Sequence, residues 1–271
     1  MKNIDFYLNK SKQLRKDLFL KFCETGGGHP GSVFSILDTM VALYYGDFLN
    51  IEKSSNKISD KIIMSKGHAA AALYPILAEK SFLNKEDFEN WGKGNDKSPL
   101  RIFSNISIPG IDATSGSLGH GLGIGAGYAL SFKKKNLNKN VYVVISEGEL
   151  YEGSIWESLL FVNHHKLSNL KIILDRNNLM ILGNTEDCIK LDPIDKKFNS
   201  FGFNTTTIDG HSYPDLLSSL ENISKDENNL NCLILNTVKG KGVKRFENDP
   251  KWHYWNPLNQ EEQEEIINEL S

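Results

Sequence analysis

The stretch from residue 141 to 183, VYVVISEGELYEGSIWESLLFVNHHKLSNLKIILDRNNLMILG, limits the possible folds more than any other part of the chain. Two apolar runs, 141–145 and 170–174, enclose a segment in which Ile155, Leu159 and Val162 recur at helical rather than alternating spacing. Strand, helix and strand in that order predict a βαβ unit with a right-handed crossover, so the two strands lie parallel in one sheet. Each strand ends in oxygen-bearing side chains: Glu147 and Glu149 after the first, Asp175, Asn177 and Asn178 after the second. Ligands of open α/β sheets sit beyond the carboxyl ends of the strands. The unit therefore points a carboxylate and a carboxamide at one spot.

Hard oxygen donors from two neighbouring strand ends suit Mg²⁺ or Ca²⁺, and Mg²⁺ commonly shares its shell with a phosphate ligand. Gly148 and Gly153 leave room for a phosphate to approach the backbone, and the helix after Gly153 offers unpaired N–H groups at its start. Acidic and amide residues also end strands simply because they favour turns, so this stretch alone leaves both readings open.

The remainder of the chain extends the α/β pattern. Helices are expected over 4–24, from a cap at Ser32 or Ser35 through Tyr44, over 69–80, 84–91, 194–201, 214–220 and 259–270. Buried strands are expected at 61–65 and 232–237, a further strand at 203–209, and an irregular loop at 92–108. Gly121-x-Gly123-x-x-Ala126 superficially matches a dinucleotide fingerprint, but no strand precedes it, which argues against that reading. Glycines 119, 123 and 127 instead line one helical face and would let a neighbouring backbone approach. No linker or repeat divides the sequence, so residues 1–271 read as a single domain with about five mainly parallel strands between two helical layers.

Partners and compartment follow from charge and cysteine usage. A net charge of −3 gives no reason to expect nucleic acid or an anionic membrane as partner. Three cysteines, Cys23, Cys188 and Cys232, show no metal-ligand spacing and suit a reducing compartment. With no apolar stretch near the start and none of membrane-spanning length, the expected location is cytoplasmic.

Ser146-Glu147-Gly148 followed by Asn177 resembles the thiamine-diphosphate motif, with Glu standing where the motif has Asp. Further landmarks align in order with the N-terminal part of transketolase. They are Gly28-His29-Pro30-Gly31-Ser32, Ser65-Lys66-Gly67-His68, Gly116-Ser117-Leu118-Gly119, Asp209-Gly210-His211, the stretch Thr237 to Gly242, and Trp252-His253. The resemblance covers roughly residues 25 to 255 and implies a three-layer thiamine-diphosphate-binding fold. It further implies that Glu147 and Asn177 supply side-chain oxygens to Mg²⁺ (or Ca²⁺), and Leu179 its backbone carbonyl. Gly148, His68 and His253 would border the diphosphate, and Gly116 and Leu118 the middle of the cofactor. Glu152 would join an acidic network near a subunit interface. His29, His68 and His253 would line the substrate channel as proton-transfer and hydroxyl-binding groups.

The family's later domains have no counterpart in this sequence, which resembles the first subunit of split transketolases. The resemblance thus implies a separate C-terminal subunit in an α2β2 assembly, a sugar or sugar-phosphate substrate, and transfer of a two-carbon ketol from a ketose to an aldose. Two rivals share parts of the pattern: the α subunit of a 2-oxo acid dehydrogenase, and a non-catalytic cofactor-binding subunit, which Glu147 keeps open. After Ser98-Pro99-Leu100 the family usually places a donor-binding histidine. This chain has Arg101-Ile102-Phe103-Ser104, so either Phe103 replaces that histidine or a shifted loop brings in Asn105.

Overall fold

Alternating burial explains why most of the strand sequences are apolar at successive positions. In the computed structural model, which describes residues 2–52, 57–93 and 98–271, Tyr142 and Val144 enter one core while Val141, Val143 and Ile145 enter another. Ile62 and Met64 face the first core and Ile63 the second; Leu233 and Leu235 oppose Cys232 and Ile234 in the same way. A strand buried on both faces must be hydrophobic at successive positions, as parallel sheets require.

A short antiparallel pair, β1 (Ile51–Glu52) and β2 (Lys57–Ile58), leads into the main sheet. The sheet contains β3 (Lys61–Met64), β4 (Val141–Ser146) and β5 (Leu170–Arg176). A second antiparallel pair, β6 (Leu179–Met180) and β7 (Gly183–Asn184), precedes β8 (Asn204–Asp209) and β9 (Asn231–Asn236). The five-stranded order is β3-β4-β5-β9-β8, and every pair is parallel. Helices Ile4–Thr25, Pro30–Tyr45 and Tyr213–Lys225 contribute to the first core, and helices Gly121–Lys134, Gly153–His164 and Ile194–Ser200 to the second.

The chain crosses the sheet from β3 to β5, skips to the edge at β8, and returns to β9. Because crossovers keep one hand, that reversal sends Tyr213–Lys225 to the face opposite Gly153–His164. Connections thus diverge between β5 and β9, opening a crevice at their carboxyl ends. Register makes the ends nearly level: Ser146 pairs with Asp175, and Arg176 with Asn236.

Three local expectations are corrected. Ser32 and Ser35 do not cap a helix; they lie inside Pro30–Tyr45, which starts on Pro30 with His29 at the N-cap and no side-chain cap bond. Proline at the first position has no N–H to satisfy. The alanine-rich helix is broken into a 3₁₀ segment, Gly67–Ala72, and a short helix, Tyr74–Glu79. Pro75 cannot donate to the preceding turn and its ring crowds the carbonyl four residues back. Of the expected glycines, Gly119 does pack closely, an added Cβ lying 2.6 Å from Glu152, but it precedes the helix. Within the helix the close-packing glycines are Gly121 and Gly125, where a Cβ would lie 2.4 Å from Ser65 and from Val143, while at Gly127 it would meet nothing. The helix therefore presses on β3 and β4 through glycines spaced four apart, and its phase differs from the one expected. Of the expected 92–108 loop, residues 94–97 lie outside those described. Among the described residues no helix is long and apolar enough to cross a membrane.

Candidate active site

The loops leaving β3, β4, β5 and β9 surround a cavity of about 720 Å³. His29, His68, Gly116, Leu118, Glu147, Gly148, Asn177, Leu179 and His253 all line it. Glu152 does not: the 3₁₀ turn Glu147–Tyr151 carries the chain outward, leaving Glu152 exposed at the N-cap of Gly153–His164.

Glu147 is 2% exposed, and its Oε1 has no hydrogen-bond partner, while Oε2 accepts from Thr185 Oγ1 at 3.3 Å. Burial, with the Asp175 charge adding to it, pushes the Glu147 carboxyl up to about 7. A buried carboxylate oxygen with no donor is costly unless a cation or ligand completes it. The Asn177 amide oxygen accepts from the Leu179 N–H at 3.1 Å, which turns the chain so that the Leu179 carbonyl also faces inward. Carboxylate, amide and carbonyl oxygens form a hard donor set suited to Mg²⁺ or Ca²⁺. Opposite them, a Cβ added at Gly148 would meet nothing nearer than Ser146 Oγ at 3.9 Å. Packing does not require glycine there, and the open space suits a bulky anion.

Two lysines, neither anticipated as a site residue, supply positive charge. Lys66, fully buried, pairs with Asp175, which also accepts from Ser35 Oγ at 2.6 Å and from Thr237 Oγ1. Burial, the largest single influence, would raise the Asp175 carboxyl, but the Lys66 charge and the hydrogen bonds from Lys66, Ser35 and Thr237 together outweigh it and hold the group below its ordinary range. Lys239 is 1% exposed; its Nζ contacts His253 Nδ1 at 3.1 Å and the Leu179 carbonyl at 3.4 Å. Burial and the Lys66 charge lower the Lys239 ammonium to about 8. Both lie inside the landmarks Ser65-Lys66-Gly67-His68 and Thr237 to Gly242, which could have pointed to them, but their charge roles are identified only by what the fold buries around them.

The three histidines form a cluster, with ring centroids 5.2 Å apart for His29–His68, 5.5 Å for His29–His253 and 5.7 Å for His68–His253. Burial first, and nearby lysine charge second, lower His29 to about 4 and His253 to about 3, and push His68 well down. All three are therefore neutral imidazoles at pH 7, able to donate at one nitrogen and accept at the other. His68 Nε2 contacts Ser32 Oγ at 3.1 Å, and His29 Nδ1 has no partner.

The carboxylate that builds this wall is Glu149, also unanticipated in that role. It is fully buried and accepts from Ser65 Oγ, from the Gly119 N–H at 3.0 Å and from the Ser146 N–H at 2.9 Å. It thereby fastens the loops after β3 and β4 to the glycine-rich segment. The mouth is apolar. Phe103, 45% exposed, lies 5.6 Å from the His29 ring, Tyr254 lies 5.1 Å from it, and Ile181 and Leu182 complete the rim. Asn105 is not among the lining residues, and its amide oxygen is taken by the Ser107 N–H at 2.9 Å.

A family model described as transketolase, thiamine diphosphate binding domain, matches residues 12–270. The chain is 34% identical over 264 residues to one of the subunits of the apulose-4-phosphate transketolase of Phocaeicola vulgatus, covering 97% of this chain and 92% of that one. It is 31% identical over 237 residues to the 6-deoxy-6-sulfo-D-fructose transketolase subunit SqwG of Clostridium sp. strain MSTE9, covering 87% and 86%. Human transketolase is 32% identical over 252 residues, which are 90% of this chain but 39% of that one. Among solved structures, transketolase from Campylobacter jejuni superposes with a TM-score of 0.86 at 27% identity, over 98% of this chain and 43% of its own.

Proposed function

Because this chain belongs to the transketolase family, through its thiamine-diphosphate-binding domain, we propose that it is the diphosphate- and Mg²⁺-binding subunit of a split transketolase. In this reading residues 1–271 work as a single cytoplasmic domain, joined by a second, C-terminal polypeptide in an α2β2 assembly. The observation that carries the reading is convergence. His29, His68, Glu147, Asn177, Lys239 and His253, from widely separated parts of the chain, face one cavity. Relatives named as separate subunits, which this chain matches over 92% and 86% of their length, support the split.

Glu147, Asn177 and the Leu179 carbonyl would hold the metal, and Gly148, Lys239, His68 and His253 would border the diphosphate, with Gly116 and Leu118 against the middle of the cofactor. Thiamine diphosphate, when bound, supplies the electron sink for breaking a carbon–carbon bond beside a carbonyl. The chain's own part is to orient and to manage protons. Neutral His29, with its free Nδ1, and neutral His253, which accepts from Lys239, are placed to bind hydroxyls and to take up or return a proton as a two-carbon ketol moves from donor to aldehyde acceptor. Co-expression with the C-terminal partner, followed by assay with thiamine diphosphate, Mg²⁺ and a panel of ketoses, tests the reading. Activity is expected only from the pair; robust turnover by the 271-residue chain alone would refute the split.

Phe103 narrows the donor. An aromatic ring beside His29 can neither donate nor accept the hydrogen bond of a donor hydroxyl, so the site discriminates less against donors that lack it. Relatives named for apulose 4-phosphate and 6-deoxy-6-sulfo-D-fructose support a modified sugar rather than a common phosphoketose as donor; a 2-oxo acid such as pyruvate is the alternative that the loss of the hydroxyl contact leaves open. The assembled enzyme is expected to use xylulose 5-phosphate poorly, and Phe103→His to raise kcat/KM for it by about tenfold, the worth of one good hydrogen bond. Efficient use of xylulose 5-phosphate by the unmodified complex would dispose of this idea.

A further inference from the structure

His211 lies outside the cavity, yet it is bonded to the segment that carries Lys239. Its Nε2 accepts from the Val238 N–H at 2.9 Å, and its Nδ1 lies 2.7 Å from Asp38 Oδ2. A backbone N–H can only donate, so Nε2 is bare and the proton sits on Nδ1, donated to Asp38. Asp38 is itself fixed by Arg15 Nη2 at 3.0 Å and by Tyr213 Oη at 3.4 Å, and the His211 N–H is turned by Asp209 Oδ1 at 2.9 Å. Arg15 and Asp38 are both buried, so the anchor cannot swing with solvent. On the other side of Val238, the Thr237 hydroxyl is bonded to Asp175 and the Gly240 N–H to the Gly31 carbonyl at 2.9 Å. The Thr237 N–H is bonded in addition to the Arg176 carbonyl at 3.0 Å, so residues 237–240 are tied at several points, and the tie at Val238 is an imidazole held in one tautomer.

We propose that His211 is a positioning residue for the anion site. By holding the Val238 peptide it sets the backbone from which Lys239 reaches His253 and the Leu179 carbonyl. This rests on the cofactor reading above, because Lys239 is taken to face a diphosphate. Among the described residues nothing else reaches the Val238 N–H; the backbone around Lys239 is otherwise held by the ties at 237 and 240, by the Lys241 N–H on the Val238 carbonyl at 3.2 Å and by the Asn248 N–H on the Lys239 carbonyl at 2.9 Å.

Two substitutions separate positioning from simple loss of packing. In His211→Gln the amide oxygen can occupy the place of Nε2 and still accept from Val238. In His211→Asn the shorter amide reaches Asp38 but not Val238. Calorimetry with thiamine diphosphate and Mg²⁺ on the co-expressed complex should show His211→Asn binding about tenfold more weakly, with His211→Gln within about twofold of the parent. Equal weakening in both variants, or none in either, overturns the proposal; a merely structural histidine would lower both melting midpoints together without splitting the affinities. Selective ¹⁵N-histidine NMR gives a readout free of the cofactor: a neutral His211 carrying its proton on Nδ1 is expected, and a proton on Nε2 overturns the inference alone. A parent complex that binds no thiamine diphosphate overturns instead the reading on which the inference rests.

Discussion

Replacing Asp175 by alanine is expected to lower the chain's stability by about 3–5 kcal/mol, because removing one partner of a buried ion pair strands the other. The ammonium left behind, Lys66, is fully buried, with only the Ser32 carbonyl at 3.2 Å and Ser35 Oγ at 3.5 Å to compensate it. Thr237 would also lose its acceptor, whereas Ser35 keeps the Ser32 carbonyl at 3.0 Å. Urea unfolding at pH 7, with the slope held equal between variants, measures the loss. The double variant Lys66→Met/Asp175→Leu should recover most of it, since a buried pair exchanged for apolar groups of similar size is often neutral or better. A single-variant loss below about 1 kcal/mol, the ceiling usual for exposed pairs, would show that the pair is hydrated.

Glu147→Ala should have effects of opposite sign on function and on stability. Mg²⁺-dependent binding of thiamine diphosphate is expected to weaken by about 100-fold or more, beyond what loss of an outer-shell partner typically costs. The melting midpoint without cofactor should stay the same or rise, because the substitution removes a buried carboxylate whose Oε1 bonds to nothing. Binding sites often carry such a local cost in stability. Glu is one methylene longer than the Asp of the family motif and must retract to reach octahedral geometry, at about 1 kcal/mol if a rotamer is strained. Tighter Mg²⁺-dependent binding in Glu147→Asp, read by titration calorimetry on the assembled complex, would reveal that strain. Cofactor binding that ignores Mg²⁺ altogether would end the case for a metal at Glu147.

What could be read from the sequence depended on the distance over which each interaction acts. Four of the five strands were legible because burial writes itself as consecutive apolar residues, as in Val141–Ile145. The edge strand Asn204–Asp209 is polar and largely exposed and carries no such signal. Helix Gly153–His164 was legible from Ile155, Leu159 and Val162, which are its buried positions. The glycine phase was not: Gly121, Gly123, Gly125 and Gly127 look alike in sequence, and only the presence of Val143 and Ser65 beneath two of them tells them apart. Glu147, Asn177 and the three histidines stood out through ordered short motifs. Lys66, Glu149, Asp175 and Lys239 did not stand out as a charge network, because Lys66 and Asp175 are 109 residues apart and no local pattern encodes that pairing. Pro75 was visible, but an alanine-rich run outweighed it; the fold obeys the proline.

The cavity wall begins at Gly27 and ends at Trp255. Its last segment, with Lys239 and His253, lies beyond β9, the final strand of the sheet. Such a site has no early, partial version. Closing a loop that long costs chain entropy which only the completed sheet can offset. A chain emerging from the ribosome therefore has no anion pocket to fill until residues through Trp255 have been made. The cofactor cannot act as a template for folding and can only lock a fold already reached, so it should slow unfolding far more than it speeds refolding.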